Sequence, residues 1–170
     1  MIDEMDASCP EALIILNAAI ANGYFNFPAP IGNVTKHPNF RCVAAGNTMG
    51  FGADAQYVGR NQLDAATLDR FAMIKMDYCP AIEENICQDP ELLKFLRDFR
   101  KFANENGILT VVSYRAMGNM YTLTECLKPD KIVDMCLAKG LAKDDIKHIM
   151  DCYEYTNKWT EALKAAYKAA

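Results

Sequence analysis

The first half of the chain alternates between helix-like and strand-like patterns of apolar residues. Residues 11–22 are apolar on most sides, which predicts a helix buried between layers, with Gly23 as the cap of its C-terminal end. Ser8 and Glu11 have the spacing of a capping box, so we expect this helix to begin directly after Ser8. Residues 40–45 form a short apolar run that a glycine stops, which is typical of an interior strand.

Shorter patterns fill the rest of the first half. Residues 24–27 and 33–36 are extended patterns on either side of a proline-rich turn, which predicts a β-hairpin. The glycine-rich stretch 48–61 predicts a long loop, and residues 63–71 predict a short helix. Residues 72–78 alternate loosely and predict a final strand. Together these elements indicate an α/β arrangement.

The second half of the chain has helical patterns throughout. The change of character near residues 78–82 predicts a domain boundary. Residues 92–103 place apolar side chains at helical spacing, and Ser113 is a good N-cap for the following helix. Residues 129–137 and 142–166 predict two further helices, the second of them unbroken.

Two adjacent carboxylates follow the first two residues, which we interpret as the last step of a strand. One carboxylate of the pair Asp3–Glu4 can hold a hydrated Mg²⁺ while the other polarises an attacking water, as phosphoryl transfer requires. Asn47 follows the strand predicted at residues 40–45, and ligands bind at that edge of open α/β sheets. Each signal has an ordinary alternative, because acidic pairs are common on solvated N-termini and Asn is common in turns.

Four short motifs occur in order along the chain. They are Ile-Asp-Glu-Met-Asp at residues 2–6, Ala-Gly-Asn-Thr at 45–48, Leu-Asp-Ala-Ala-Thr-Leu-Asp-Arg-Phe at 63–71 and Ser-Tyr-Arg-Ala at 113–116. These resemble the Walker B motif, the sensor 1 strand end, the arginine-finger helix and the sensor 2 motif of AAA+ ATPases. The resemblance is to the MoxR and dynein-related (midasin-like) branch of that family, and it covers nearly the whole chain.

The resemblance implies a fold class and a domain organisation. It implies an α/β fold in which residues 1–78 are the C-terminal part of a P-loop NTPase (AAA+) core, with parallel strands and a β-hairpin insertion. Residues 82–170 would then form an all-α lid. In this branch the hairpin projects toward the ring pore or a partner, although an ordinary surface hairpin explains the same pattern equally well.

The resemblance also implies roles for the polar residues and for ATP and Mg²⁺. Asp3 would organise Mg²⁺ through water, Glu4 would activate the attacking water, and Asn47 would help to orient that water. Arg115, in the first turn of a lid helix, would contact the phosphates of ATP, because helix N-termini attract phosphate and Arg adds a bidentate donor. The ordinary alternative for Arg115 is a surface cation.

A trans-acting arginine is expected where subunits of such a ring meet. The resemblance assigns this role to Arg70, which would reach the ATP of the neighbouring subunit, and Arg60 is the alternative. The ordinary explanation of Arg70 is compensation of the helix dipole, worth about 0.3–1 kcal/mol. The full protein is expected to self-associate into a ring, a hexamer, and to use hydrolysis to remodel a partner protein whose identity is unknown.

No G-x-x-x-x-G-K-[ST] phosphate loop occurs among the 170 residues. We therefore interpret the chain as a piece of an ATPase and expect it alone to bind ATP weakly and not to turn it over. The alternative is a non-catalytic truncated relative that acts as an interaction or ring-assembly module. A stand-alone Mg²⁺-dependent hydrolase using Asp3, Glu4 and Asp6 is disfavoured, because acids at a terminus lack surrounding groups to orient them.

Composition narrows the class of protein further. Hydrophobic residues make up 51% and charged residues 24%, as in a globular protein, and a formal net charge of −4 gives no support for a nucleic-acid-binding surface. No apolar run approaches the roughly 20 residues that a membrane helix needs. The seven cysteines include no Cys-x-x-Cys pair, so we expect reduced thiols in a cytoplasmic protein. His37 and His148 have no metal-like spacing.

Overall fold

Helices dominate the computed structural model, which describes residues 1–169. The chain folds as two units, Met1–Lys75 and a second that begins at Met76. Residue 170, the last residue of the expected lid, lies outside the described residues. None of the helices in residues 1–169 combines the length and the apolar character that a membrane crossing requires.

The expected α/β core with parallel strands is wrong. The only sheet within residues 1–169 has two antiparallel strands, β1 (Tyr24–Asn26) and β2 (Asn33–Thr35). The strands expected at the N-terminus and at residues 40–45 amount to one isolated parallel bridge between Ile2 and Ala44, and residues 72–78 form no strand.

The reason for this error is that an apolar run does not reveal strand partners. A parallel strand buried on both faces must be paired and covered by its neighbours. Val43 is 59% exposed and Ile74 is 80% exposed, so neither segment has such cover among the described residues. Each segment is apolar enough for an interior strand, but pairing depends on distant parts of the chain.

The first unit contains two α-helices besides the hairpin. A 3₁₀ turn, Met5–Ala7, leads into α1 (Pro10–Asn22), and Gly23 ends α1 in the left-handed conformation at φ 77°. The short helix α2 spans Ala65–Leu68. The buried apolar residues of this unit form a small cluster, which consists of Met5, Leu13 and Leu63.

Two expectations about α1 are wrong. Its N-cap is Cys9, which makes no side-chain cap bond, and the hydroxyl of Ser8 instead donates to the carbonyl of Glu4 at 3.2 Å. The helix is also not buried on most sides. Ile14 is 63% exposed and Ile15 is 56% exposed, because the described chain offers no second layer to cover them.

The hairpin is confirmed, and it follows directly from its sequence. Phe25 lies opposite Val34 in the antiparallel register, and the turn closes where the amide of Phe27 donates to the carbonyl of Gly32 at 2.8 Å. Gly32 has φ 68°, a conformation that glycine adopts without steric strain. The hairpin joins α1 through Gly23, whose carbonyl accepts from the amide of Lys36.

The second unit is helical in its described part. Its elements are α3 (Pro80–Ile86), α4 (Pro90–Glu105), α5 (Tyr114–Leu123), α6 (Pro129–Val133), a π-helical stretch (Asp134–Ala138), α7 (Lys143–Asp151) and α8 (Lys158–Ala169). The start of α4 is set by Asp89, whose side chain accepts from the amides of Glu91 and Leu92. Ser113 caps α5 as predicted, accepting from the amide of Ala116 at 3.1 Å.

The prediction of a single unbroken helix over residues 142–166 is wrong. This stretch is broken into α7 and α8, because Asn157 starts a new helix with its side-chain oxygen. That oxygen accepts from the amides of Trp159 and Thr160, both at 3.0 Å. Asn157 is an N-cap residue that the helical periodicity of its neighbours concealed.

A continuous core fills the second unit. Its fully buried large side chains come from five of the helices, and they include Leu92, Phe95, Leu96, Phe99, Met117, Met120, Ile132, Ile146, Ile149, Trp159 and Leu163. The ring of Phe95 stacks on Trp159 with centroids 6.2 Å apart, which ties α4 to α8.

Candidate functional site

The candidate site is a turn at the start of the first unit that contains Asp3, Glu4 and Asp6, called the acidic turn below. It is built where the N-terminal residues run beside residues 43–45. The amide of Ile2 donates to the carbonyl of Val43 at 2.8 Å, and the amide of Ala45 donates back to the carbonyl of Ile2 at 2.9 Å. The amide of Met5 then donates to the carbonyl of Ala45 at 2.8 Å. Asp3 and Glu4 therefore sit between two points at which this segment is tied to its neighbour.

Glu4 has an unusual backbone conformation in this turn. Its φ is 53°, in the left-handed region that residues other than glycine seldom adopt. The side chain of Asp3 supports this conformation by accepting from the amide of Glu4 at 3.0 Å. Such strain is often found at functional sites. The side chain of Glu4 is 56% exposed, so solvent can reach it.

Asp6 is the buried centre of the turn, with 1% of its surface exposed. One carboxylate oxygen, Oδ2, accepts three hydrogen bonds, from the amide of Asn47 (3.0 Å), the amide of Thr48 (2.8 Å) and the hydroxyl of Thr48 (2.9 Å). Burial alone would raise the pKa of Asp6, but the hydrogen bonds from Thr48 and Asn47 and the charge of Arg60 lower it below its usual range. Asp6 is therefore a buried, ionised carboxylate.

Arg60 joins the two carboxylates of the turn. Its Nη1 forms an ion pair with Oε2 of Glu4 and lies 3.3 Å from Oδ1 of Asp6. The hydrogen bond to Glu4 raises the pKa of Arg60, with the charges of both acids acting in the same direction. The next residue is also fixed, because Asn61 donates its amide to the carbonyl of Asp6 at 2.6 Å and its side chain to the carbonyl of Ser8 at 3.0 Å.

The structure brings four of the predicted site residues to this turn and leaves two elsewhere. Asp3, Glu4 and Arg60 belong to it through the contacts above, and Asn47 belongs to it through its backbone amide, with the residue itself exposed. Arg70 lies just beyond α2 and donates to the carbonyl of Ala66 in that helix. The sixth, Arg115, is exposed on α5 in the second unit.

Sequence reasoning missed the residues that organise the turn. Asp6 and Thr48 each belong to one of the motifs, but little in the sequence indicates that the Asp6 carboxylate is buried and accepts from Thr48. A small signal was available in Gly46. A Cβ at that position would lie 3.1 Å from Cγ of Asp6 and 3.2 Å from its Oδ1, so a side chain there would press on the Asp6 carboxylate.

The turn offers limited ligands for a metal ion. Within residues 1–169, no three side chains of the His, Cys, Asp and Glu types converge in a way that could hold one. Asp3 is exposed and can contribute a single carboxylate. That donor set fits Mg²⁺, which keeps several waters and is commonly bound by one or two carboxylates together with substrate phosphates.

Comparisons with protein-family models, with curated proteins and with solved structures gave no match to this chain. The resemblance to AAA+ ATPases therefore depends on the four short motifs alone.

Proposed function

We propose that the acidic turn is the water- and magnesium-handling part of an ATPase of the AAA+ kind. The phosphate loop that such an enzyme needs would come from outside these 170 residues. The single observation that carries the proposal is the pairing of Ile2 with Ala44, which sets Asp3 and Glu4 beside the segment that ends in Asn47. Two carboxylates and an amide side chain are the groups required to bind a metal and to handle a water in phosphoryl transfer.

Each residue of the turn has a distinct proposed role. Asp3 would hold Mg²⁺ through water, and bound Mg²⁺ would neutralise charge on the phosphate oxygens. Glu4 would accept a proton from the water whose oxygen attacks the terminal phosphorus of ATP, with ADP as the leaving group. Asn47 would accept a hydrogen bond from that water and orient it. The exposed position of Glu4 and Asn47 supports these roles, since both side chains can reach a ligand.

The remaining roles depend on subunit assembly. We propose that Arg70 acts on the ATP of a neighbouring subunit in a ring, a hexamer, and that Arg115 contacts phosphates. Hydrolysis would remodel a partner protein. Within the described residues the cysteines are free thiols, which supports a reducing compartment, and we propose the cytoplasm.

Nucleotide titration of the isotopically labelled chain tests the proposal. With Mg²⁺ present, added ATP should shift the backbone amide signals of Asp3, Glu4 and Asn47, weakly and without turnover. Asp3→Asn should reduce the part of the response that requires Mg²⁺. The control Asp54→Asn changes an exposed carboxylate of the same unit, which accepts from the nearby amides of Gln56 and Tyr57, and should respond as the wild type does. Unchanged signals at all three residues, or measurable turnover by the chain alone, would contradict the proposal.

A non-catalytic role is the second candidate, and one observation favours it. Glu4 is paired with Arg60, so its carboxylate is already engaged in this conformation. In that case the chain would be an interaction or ring-assembly module that still offers Arg70 to an active neighbour. Addition of the chain to a complete AAA+ ATPase should then change the hydrolysis rate, and Arg70→Ala should remove the effect. No change on mixing would count against this role.

A further inference from the structure

We propose that Arg60 acts within its own chain as a positioning residue for Glu4, with Asp6 as its permanent anchor. The part that Arg60 would play in catalysis rests on the proposed function above, whereas its contacts with Glu4 and Asp6 do not. Arg60 is one of two arginines that were candidates for a trans-acting group, Arg70 from a motif and Arg60 from the glycine-rich loop. The structure assigns it to the cis side of the site, because its guanidinium already lies between the two carboxylates of the acidic turn.

The two ion pairs of Arg60 differ in how easily water can replace them. Asp6 is 1% exposed and Glu4 is 56% exposed, while Arg60 itself is 14% exposed. Ion pairs between solvated groups contribute little, whereas removal of one partner from a buried pair leaves an uncompensated charge. Asp6 is ionised, and its other oxygen is held by Asn47 and Thr48, so it cannot turn away. Glu4 is therefore the partner that Arg60 can release.

The backbone near Arg60 is fixed as well. Asn61 is bonded twice to the acidic turn, at the carbonyls of Asp6 and Ser8. Two residues further on, the amide of Leu63 donates to the carbonyl of Gly50 at 2.9 Å, and Gln62 forms an antiparallel bridge with Phe51. A movement of this backbone segment toward another subunit would have to break several of these bonds. The segment is thus built to keep Arg60 in the turn.

Arg70 provides the contrast. It is exposed and its guanidinium donates to the carbonyl of Ala66, one turn back along its own short helix. This bond lies at the surface. The charge of Arg70 helps to lower the pKa of the nearby exposed Asp64, but Arg70 has no buried carboxylate beside it like Asp6. Arg70 is consequently the arginine that can reach a neighbouring molecule. The structure distinguishes the two arginines by anchoring, which the sequence does not.

The ion pair between Arg60 and Glu4 has a consequence for regulation. While Arg60 holds Glu4, the paired oxygen Oε2 is engaged and its lone pairs are less available to accept a proton from water. When Glu4 turns toward a ligand, Arg60 remains against Asp6 instead of entering solvent, so its positive charge stays within the turn. The exchange of Glu4 between Arg60 and a water molecule is then the step that switches the site between a resting and an active arrangement.

The first experiment uses the nucleotide-free chain, so it does not depend on the proposed function. Nitrogen-15 spectra of the Arg60 guanidinium report rotation about its Nε–Cζ bond, which is slow when the group is held by a carboxylate. We expect slow rotation in the wild type. In Glu4→Gln rotation should stay slow while the Nη1 signal moves, because Asp6 still holds the group. Because Glu4 is exposed, this variant retains the buried contacts of the unit.

For Asp6→Asn we expect the opposite of the Glu4→Gln result. Rotation should become fast, and the Thr48 amide signal should move because its charged acceptor is gone. The proposal is overturned if Glu4→Gln alone makes rotation fast, or if Asp6→Asn folds and leaves rotation slow. Should Asp6→Asn fail to fold, the Glu4→Gln result decides between anchoring by Asp6 and anchoring by Glu4.

A second measurement separates this inference from the proposed function. Arg60→Gln removes the cation that competes for Glu4, so the Glu4 amide should respond to magnesium-ATP at several-fold lower nucleotide concentration. Arg60→Lys keeps a charge but lacks the planar donor group. The nucleotide concentration at which it responds should therefore lie between those of the wild type and Arg60→Gln. A wild-type response that is unchanged in Arg60→Gln would overturn the regulatory role. Slow rotation with no nucleotide response in any variant would overturn the proposed function and leave the anchoring intact.

Discussion

At the scale of single residues, Asp6 divides its two carboxylate oxygens between two tasks. Oδ2 fixes the turn at Asn47 and Thr48 through three hydrogen bonds, and Oδ1 faces Arg60. Hydrogen bonds to a charged acceptor are about twice as strong as neutral ones, and they are shorter. A single buried side chain thereby joins three segments of the first unit, in a unit whose apolar core is small.

Asp6→Asn should change both the size and the pH dependence of stability. The pKa of Asp6 is lowered in the folded state from an ordinary value of 3.8, so the unfolded chain binds the proton more tightly. This stabilisation is present above the unfolded pKa and is lost as pH falls through the lower folded pKa. We expect the free energy of unfolding of the first unit to drop by about 1–3 kcal/mol at neutral pH in the variant.

Urea unfolding at a series of pH values, followed by amide signals of the first unit, measures this effect. The difference between wild type and Asp6→Asn should shrink as the pH falls below 4, since the wild type then loses the same charge. A difference that is constant down to low pH would mean that the charge of Asp6 contributes nothing to stability.

At the scale of elements, the sequence predicts some local structure correctly and long-range pairing poorly. The hairpin and the Ser113 cap were predictable because their signals lie within a few neighbouring residues. The strand expected at residues 40–45 was not a strand, because its apolar run carries no information about partners. The break at Asn157 was hidden for the opposite reason, since a local cap outweighs the apolar periodicity around it.

The contacts of the candidate site also include some that the sequence predicts and some that it does not. That Asn47 lies near the N-terminal residues could be anticipated, and its amide donates to Asp6. The hydrogen bonds of Asp6 to Thr48 and its contact with Arg60 could not, because they span 42 and 54 residues and depend on which side chains turn inward. Arg60 and Arg70 look alike in the sequence, and only their contacts distinguish them.

Helix α1 gives a matched pair of substitutions on one element. Leu13 is 6% exposed and belongs to the small core, whereas its neighbour Ile14 is 63% exposed. We expect Leu13→Ala to lower the free energy of unfolding of the first unit by about 2–5 kcal/mol, as buried leucines do. Ile14→Ala should change it by only about 0.5 kcal/mol.

The two α1 variants are compared by denaturant unfolding, again with signals from the first unit. Both substitutions introduce the same strong helix former, so helix propensity cannot explain a large difference between them. Equal losses would mean that Ile14 is covered in solution, for example by another copy of the chain, and dilution of the protein would reveal this as a dependence on concentration.

At the scale of the whole molecule, the two units are stabilised in different ways. The second has a continuous apolar core, and the first combines three buried apolar residues with the hydrogen bonds of Asp6. The single tryptophan of the sequence, Trp159, is 1% exposed and lies in the second unit. It belongs to the apolar core of that unit, and its indole N–H has no hydrogen-bond partner among the described residues.

We expect the first unit to unfold at lower urea concentration than the second. Fluorescence of Trp159 reports on the second unit alone, and its emission should be blue-shifted until that core opens. Amide signals of the first unit, including those of Asn47 and Thr48, should disappear earlier in the titration. Coincident transitions by both probes would indicate one cooperative unit and would contradict this expectation.

The distance along the sequence between Asp6 and its partners limits the order in which the first unit can fold. During synthesis the carboxylate of Asp6 leaves the ribosome long before its partners, which follow 41, 42 and 54 residues later. Closing loops of that length lowers chain entropy before any bond is gained, and folding slows as contacts become less local. Glu4, Asp6 and Arg60 can therefore meet only late, which makes the acidic turn a marker of a completed first unit and keeps partly made chains from presenting it.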